Sequence, residues 1–255
     1  MRVVNLFSGS SGNCTYIKCG GAEILIDAGG SAKKITDALW AIGTGPENID
    51  AIFVTHEHTD HISAIRVLEK KYVIPVYISG ESARFSGLYG TVDANRLLTY
   101  DGVFSVRIRD AVINGFEVPH DSAFCYGFAV CGEGHKIGVV TDMGTVTEQI
   151  CGQLCGCDIA VIEANHDREM LMQGPYPPEL KERILSGCGH LSNDSCGELA
   201  RILEGKGLRR LMLAHLSEEN NRPDVAVRTV MNYVRGDRLT VVAASACGPT
   251  ELYSD

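Results

Sequence analysis

The sequence predicts an α/β (α+β) fold in which two sheets pack face to face with helices on the outside. Three observations lead there: a first half dense in short strands, helical patterns interleaved with them, and a second half that alternates strand with helix. The strand-like runs are RVVNLF, CTYIKC, AEILIDA, AIFVT, VYIS, FSVRIR, AVINGFEV, FCYGFAV and HKIGVVT, separated by turns such as CGG, YDG and CGEG. Helical periodicity covers residues 31–42, 61–71, 192–205 and 223–234. The third of these carries the capping-box spacing of Ser195 and Glu198, and the fourth opens on Pro223. IAVIEA, LRRLMLAH and LTVVAA supply the later strands. Without repeats, low-complexity tracts or linker-like stretches, residues 1–255 read as one domain.

Composition narrows the function classes. The 255 residues are 45% hydrophobic and 22% charged, an ordinary globular balance that permits a sizeable core. No apolar stretch approaches the ~20 residues of a membrane span, and MRVVNLFSGSSGN breaks on glycine where a signal peptide would build an apolar run. The expectation is a cytoplasmic protein with no membrane association. The ten cysteines form no C-x-x-C pair and read as reduced thiols. A net charge of -9 argues against sequence-blind attraction to nucleic acid or anionic lipid. Lys181, Arg183, Arg209, Arg210, Arg222 and Arg228 are scattered and outnumbered by acids. Bound divalent cations would nonetheless reverse the local field within one cleft.

The chemistry concentrates in VTHEHTDHISA, residues 54–64. AIFVT reads as a buried strand and the segment after it as a helix. His56, Glu57, His58, Thr59, Asp60 and His61 therefore occupy a loop at a strand's C-terminal end, where sites on such sheets form. In an extended turn His56 and His58 point the same way and Glu57 elsewhere, while Asp60 and His61 can reach a second ion beside the first. The competing reading is a polar helix start with Asp60 as its cap. One loop supplies too few ligands, and His120, Asp142 and His215 each end another strand-like run, as a shared rim requires.

THEHTDH, with Asp27 in LIDAGG, His120, Asp142 in VVTDMG and His215 in LAHLS, resembles the motif series of the metallo-β-lactamase fold superfamily over nearly the whole chain. The resemblance implies a four-layer αββα sandwich with a dinuclear metal site. It implies that His56, His58 and His120 hold one divalent ion and Asp60, His61 and His215 the other, with Asp142 between them and Asp27 orienting a ligand. Zinc or manganese is the expected metal, with iron a further candidate. LFSGSSGNCTYI, IEANHDREML, GPYPPELKERILS, GCGHLSNDS and LAHLSEENN are similar to stretches of the YycJ/WalJ group, described as 5′-to-3′ exonucleases on DNA. Met143 departs from that group, which more often carries a small hydroxyl residue there, and the expected consequence is an altered pocket floor.

On this resemblance the substrate is a phosphodiester, with DNA 5′ ends first and a small cyclic phosphodiester second. A thioesterase similar to glyoxalase II shares the ligand series but lacks a histidine placed like His190, and a metal-bound scaffold of little turnover is the non-enzymatic alternative. The intervals between motifs leave no room for the arm of transfer-RNA 3′-processing relatives or the inserted domain of RNase J-type enzymes. Two ions acidify water and neutralise phosphate charge. Asp60 is expected to orient the nucleophile or accept its proton, and His190 to donate to the phosphate or the leaving oxygen. Glu163, Asn165, His166 and Asp167 either reach substrate or a ligand's outer nitrogen, or cap the next helix. Ser192 accompanies His190 in an H-x-S element. The Ser8–Asn13 loop reads as a tight hairpin, with a phosphate cradle as the lesser option. Oligomeric state is not legible.

Overall fold

The computed structural model describes residues 1–236 and 238–254. Chain order opens with β1 (Arg2–Phe7), β2 (Cys14–Cys19), β3 (Ala22–Ile26), α1 (Ala32–Ala41), β4 (Ala51–Phe53), α2 (Thr59–Ile62), α3 (Ile65–Tyr72), β5 (Val76–Ser79), α4 (Gly80–Phe85) and β6 (Leu97–Tyr100). It continues with β7 (Phe104–Ile108), β8 (Ala111–Glu117), β9 (Tyr126–Gly132), β10 (His135–Val140), α5 (Glu148–Leu154), β11 (Ile159–Glu163), α6 (Arg168–Gln173) and α7 (Pro178–Leu185). α8 (Asn193–Glu204), β12 (Arg210–Ala214), α9 (Pro223–Met231), β13 (Thr240–Ala243) and β14 (Thr250–Tyr253) complete it.

Among the described residues the strands form two seven-stranded sheets, ordered β14-β1-β2-β3-β4-β5-β6 and β13-β12-β11-β10-β9-β8-β7. In those orders the first runs through three antiparallel pairings and then three parallel ones, the second through three parallel and then three antiparallel. In the parallel portions, β4 and β11 are buried at every position, which explains their unbroken apolar runs. The C-terminal ends of β8, β10, β11 and β12 consequently share one rim.

Three apolar layers hold the sandwich. Between the sheets, Phe53 stacks on Tyr77 with centroids 4.6 Å apart and meets Phe128 edge-on at 5.7 Å. Ile35, Leu39, Ile65 and Leu68 seat α1 and α3 on the first sheet. Ile150, Leu154, Leu199, Leu203 and Val230 seat α5, α8 and α9 on the second. Leu199 and Leu203, both fully buried, each contribute on the order of 1.5–3 kcal/mol. Helix, sheet, sheet, helix is the expected four-layer order.

Two local expectations are corrected. The helix read at 61–71 is two helices, because loop contacts take the backbone groups that would continue α2. Asn13 N–H donates to the Asp60 carbonyl (2.8 Å), Ala28 N–H to the His61 carbonyl (2.8 Å), and Ala64 N–H to the Ala28 carbonyl (2.9 Å). The cap of α8 is Ser192 and not Ser195, whose N–H donates to Ser192 Oγ (3.2 Å). The sequence reading did not contain β6, β14, α4, α5 or α7, and held α6 only as the helix that the 163–167 stretch would cap.

Candidate metal centre

The loop after β4 is positioned before any ligand is considered. Thr55 N–H donates to Asp27 Oδ1 (2.8 Å), and the Thr55 carbonyl accepts from Tyr126 N–H (2.9 Å), so the loop bridges both sheets. His58 caps α2 in extended conformation, and Asp60 and His61 lie on that single turn. Gly29 permits the closest approach: a Cβ there would stand 1.7 Å from the Asp60 carbonyl oxygen. Asp27, Asp142 and His215, each just past a strand, all take positive φ of 62°, 53° and 54°. Such backbone strain in non-glycine residues persists only where surrounding contacts over-determine it.

These contacts gather six histidine rings. Centroid separations are 4.4 Å for His56–His58, 4.2 Å for His56–His61, 4.9 Å for His56–His120, 5.9 Å for His61–His215 and 5.2 Å for His190–His215. Most are fixed through Nδ1. His61 Nδ1 donates to Asp27 Oδ2 (2.8 Å), His120 Nδ1 to the Gly189 carbonyl (3.2 Å), and His190 and His215 Nδ1 to Glu163 Oε1 (2.7 and 2.9 Å). Thr55 Oγ1 donates to Asp27, so it accepts from His56 Nδ1 at 2.9 Å. In its neutral form each pinned ring keeps its proton on Nδ1 and presents Nε2 with a lone pair, the form a metal requires.

The inward-facing atoms form groups within 4.8 Å of one another: His56, His58 and His120; His56, His61 and Asp142; Asp60, His61 and His215; and Asp142, Glu163, His190 and His215. His61 Nε2 lies 3.3 Å from Asp60 Oδ2 and 3.4 Å from Asp142 Oδ2. Buried within this cluster, His120 Nε2, Asp142 Oδ2 and His215 Nε2 have no hydrogen-bond partner among the described residues. Partnerless buried polar atoms of neighbouring ligands, drawn from imidazoles and carboxylates, fit a divalent metal site.

The electrostatics agree with that fit. Burial opposes charge on His215, yet Asp142, Asp60 and Glu163 overcome it and raise the ring to about 10. His61 is likewise held well above the ordinary value against burial, chiefly by Asp142 and Asp27. Burial and the neighbouring rings push His56 well below it. Against burial, His215 and His61 hold Asp60 below the usual carboxylate range, and the same rings lower Asp142. The carboxylates thus hold positive charge in place, whether carried by ring protons or by a metal.

The remaining residues singled out in the sequence separate by placement. Glu163 is fully buried, and its Oε2 accepts from Met143 N–H (2.7 Å) and Leu191 N–H (3.0 Å) while Oε1 orients His190 and His215. Asp27 orients His61 in the same way. Asp167 caps α6. Ser192 caps α8, and His166 is buried in a backbone bridge to Ser192, with neither residue among the ligand groups. Met143 does not form the pocket floor; its side chain packs in the core under the second sheet and its N–H serves Glu163.

Further residues support the site in roles the sequence did not show. Glu57 turns from the cluster and accepts from Ser82 Oγ (2.8 Å) and Ala123 N–H (2.7 Å), stapling the loop beyond His120. Asn13 Nδ2 contacts Asp60 Oδ2 at 3.2 Å and His61 Nε2 at 3.1 Å, and Ser8 Oγ accepts from His215 N–H (2.7 Å). The Ser8–Asn13 loop is therefore a brace for the cluster, and its composition alone carried no sign of that.

A cavity of about 260 Å³ adjoins His190 and His215, with Asp121, Tyr176 and Arg183 on its wall. Of the six basic residues noted above, Arg183 alone among the described residues lines it. No described helix is long and apolar enough to cross a membrane.

Comparison with known proteins bears on this arrangement. An exodeoxyribonuclease named WalJ from Streptococcus pneumoniae is 37% identical over 230 residues, covering 89% of this chain and 86% of that protein. An exodeoxyribonuclease named YycJ from Bacillus anthracis is 34% identical over 228 residues, covering 88% and 86%. The crystal structure of YhfI from Bacillus subtilis, a metallo-β-lactamase fold protein, superimposes with a TM-score of 0.74 over 98% of this chain and 99% of that one, at 17% identity. The family model described as a beta-lactamase superfamily domain matches residues 22–216, and the chain belongs to that superfamily as a WalJ/YycJ-like member of the metallo-β-lactamase fold.

Proposed function

We propose that the chain, as one catalytic domain, is a dinuclear metal-dependent phosphodiesterase that removes nucleotides from DNA 5′ ends. His56, His58 and His120 would hold one ion and Asp60, His61 and His215 the other, with Asp142 available to both; zinc and manganese are the metals favoured. The observation that carries this reading is His190, tied through Nδ1 to the same Glu163 oxygen that orients His215 and lining the adjoining cavity. The names of its WalJ and YycJ relatives support the choice of DNA.

When bound, the metals supply an acidified water and a Lewis-acid contact to phosphate. The protein supplies the rest. Asp60, a carboxylate with part of its side chain open to solvent, accepts the proton of the attacking water. His190 hydrogen-bonds the phosphate oxygen or protonates the departing one, held in register by Glu163. Asp27 and Thr55 keep His61 and His56 in the ligating tautomer. The ten cysteines, all free thiols, fit a reducing cytoplasmic compartment.

The test is an end-labelled single-strand and duplex digestion panel run across zinc, manganese and iron. The reading expects mononucleotides from 5′-phosphorylated DNA. Activity should vanish together with bound metal in Asp142→Ala, whereas His190→Ala should keep metal and lose turnover. Cleavage of bis-p-nitrophenyl phosphate and cyclic nucleotides with DNA untouched, or hydrolysis of S-lactoylglutathione, would overturn it.

A further inference from the structure

The cavity beside His190 and His215 has a wall that the metal cluster does not explain. Tyr176 stands in the run Pro175, Tyr176, Pro177, Pro178, where three prolines restrict the backbone on both sides. Lys181 Nζ closes the preceding turn by donating to the carbonyls of Met172 and Gly174, each at 2.8 Å. The ring is thus mounted on a segment with little freedom to lose on binding. On the same wall Arg183 extends from α7, with its guanidinium paired to Asp121, the residue after His120.

This wall is rigidly joined to the cluster. A Cβ at Gly189 would stand 2.2 Å from the Arg183 carbonyl oxygen, and His190 N–H donates to the Ile184 carbonyl at 2.9 Å. The backbone that carries Arg183 is therefore tied to the backbone of His190. A flat aromatic face and a planar cation beside a phosphodiester site match the two ends of a nucleotide: base stacking suits any sequence, and guanidinium suits a terminal phosphate. At about 260 Å³, just under the ~300 Å³ lower bound of small-molecule pockets, the cavity is on the scale of one small ligand.

We propose that this cavity is a terminal-nucleotide subsite, in which Tyr176 stacks on the base and Arg183 binds the terminal phosphate while the adjacent phosphodiester lies against His190 and His215. The inference rests on the exonuclease reading and supplies its reason: a seat for one nucleotide selects chain ends. Asp121 keeps the guanidinium aimed at the cavity until phosphate takes over part of the pairing.

Calorimetric titration of dAMP, deoxyadenosine and 2-deoxyribose 5-phosphate into the full chain, with and without manganese, tests it. The wild type should bind dAMP more tightly than either fragment. Tyr176→Ala should weaken dAMP about tenfold, the loss that a stacking contact of ~1.4 kcal/mol converts to, leaving it no better than the sugar phosphate. Tyr176→Phe should keep the wild-type preference, and Arg183→Gln should bring dAMP down to deoxyadenosine. A wild type that favours neither base nor phosphate, or dAMP affinity within about twofold of wild type in both Tyr176→Ala and Arg183→Gln, overturns the subsite. Should DNA resist digestion while the dAMP pattern appears as described, the exonuclease reading falls and the subsite stands. Digestion of DNA with a flat dAMP pattern removes the subsite and leaves the reading.

Discussion

Glu163→Gln tests how the cluster is held, because four donors converge on that one buried carboxylate. Oε2 receives the backbone N–H groups of Met143 and Leu191, and Oε1 the Nδ1–H groups of His190 and His215. A carboxamide keeps one acceptor and turns the other end into a donor. Backbone amides cannot accept, so its oxygen stays with Met143 and Leu191 and its NH₂ faces the two rings. Those rings must then accept at Nδ1, which moves the proton of His215 to Nε2, the atom it presents to the cluster. Two charge-assisted bonds become neutral ones, each falling from ~1.5–3 to ~1 kcal/mol. The total of about 1–4 kcal/mol brackets the roughly tenfold to hundredfold weaker metal binding found for groups that orient metal-binding histidines. Competition with a chromogenic chelator measures the affinity, and nitrogen–proton correlations of the imidazoles report the tautomer. Affinity within about twofold of wild type, with both rings still protonated at Nδ1, would refute the reasoning.

Further outcomes follow from the same contacts. Gly29→Ala drives a methyl into the Asp60 carbonyl and should cost about 1–3 kcal/mol in urea unfolding while weakening metal binding through displacement of α2. Thr55→Val leaves Asp27 without its hydroxyl donor and His56 Nδ1 without its acceptor, a loss of ~1–3 kcal/mol read by thermal unfolding of the metal-free chain. Because His215 is raised to about 10 in the metal-free protein, its stabilising charge is fully present below the ordinary histidine value of ~6.5 and is lost as pH rises through about 10. Metal must displace that proton, so affinity should climb with pH over the same window, and calorimetry in buffers of different ionisation heat should detect proton release. Metal at ~100 times its dissociation constant should stabilise the fold by ~2.7 kcal/mol, and a chelator should reverse this.

How much was legible depends on what carried each feature. His56, His58, Asp60 and His61 were readable because they interrupt an apolar run long enough to mark a buried strand, and His120, Asp142 and His215 because each closes another such run. The structure brings all seven together. Their supports were less legible: the Gly189 carbonyl under His120, the Asn13 amide on Asp60 and the Ser8 hydroxyl under His215 come from loops far away in sequence, whose local composition reads as ordinary turns. Glu163 left two readings open because a carboxylate after a strand either caps or orients, and only its four partners decide. The edge strands β6 and β14 escaped because each is only four residues long and buries one of them, too short a run to show a pattern. α2 and α3 merged into one helix because their break is made by hydrogen bonds from Asn13 and Ala28, not by a glycine or proline.

The ligand loop of the first sheet faces strand ends of the second, so neither half of the polypeptide owns a complete set of donors. His56, His58, Asp60 and His61 precede the crossing from β6 to β7, whereas His120, Asp142 and His215 follow it. A cation seated among them would act as a rivet between leaves already joined by their apolar faces and by hydrogen bonds such as that from Tyr126 N–H to the Thr55 carbonyl. Severed fragments of this chain should accordingly recombine more readily in the presence of the ion than in its absence.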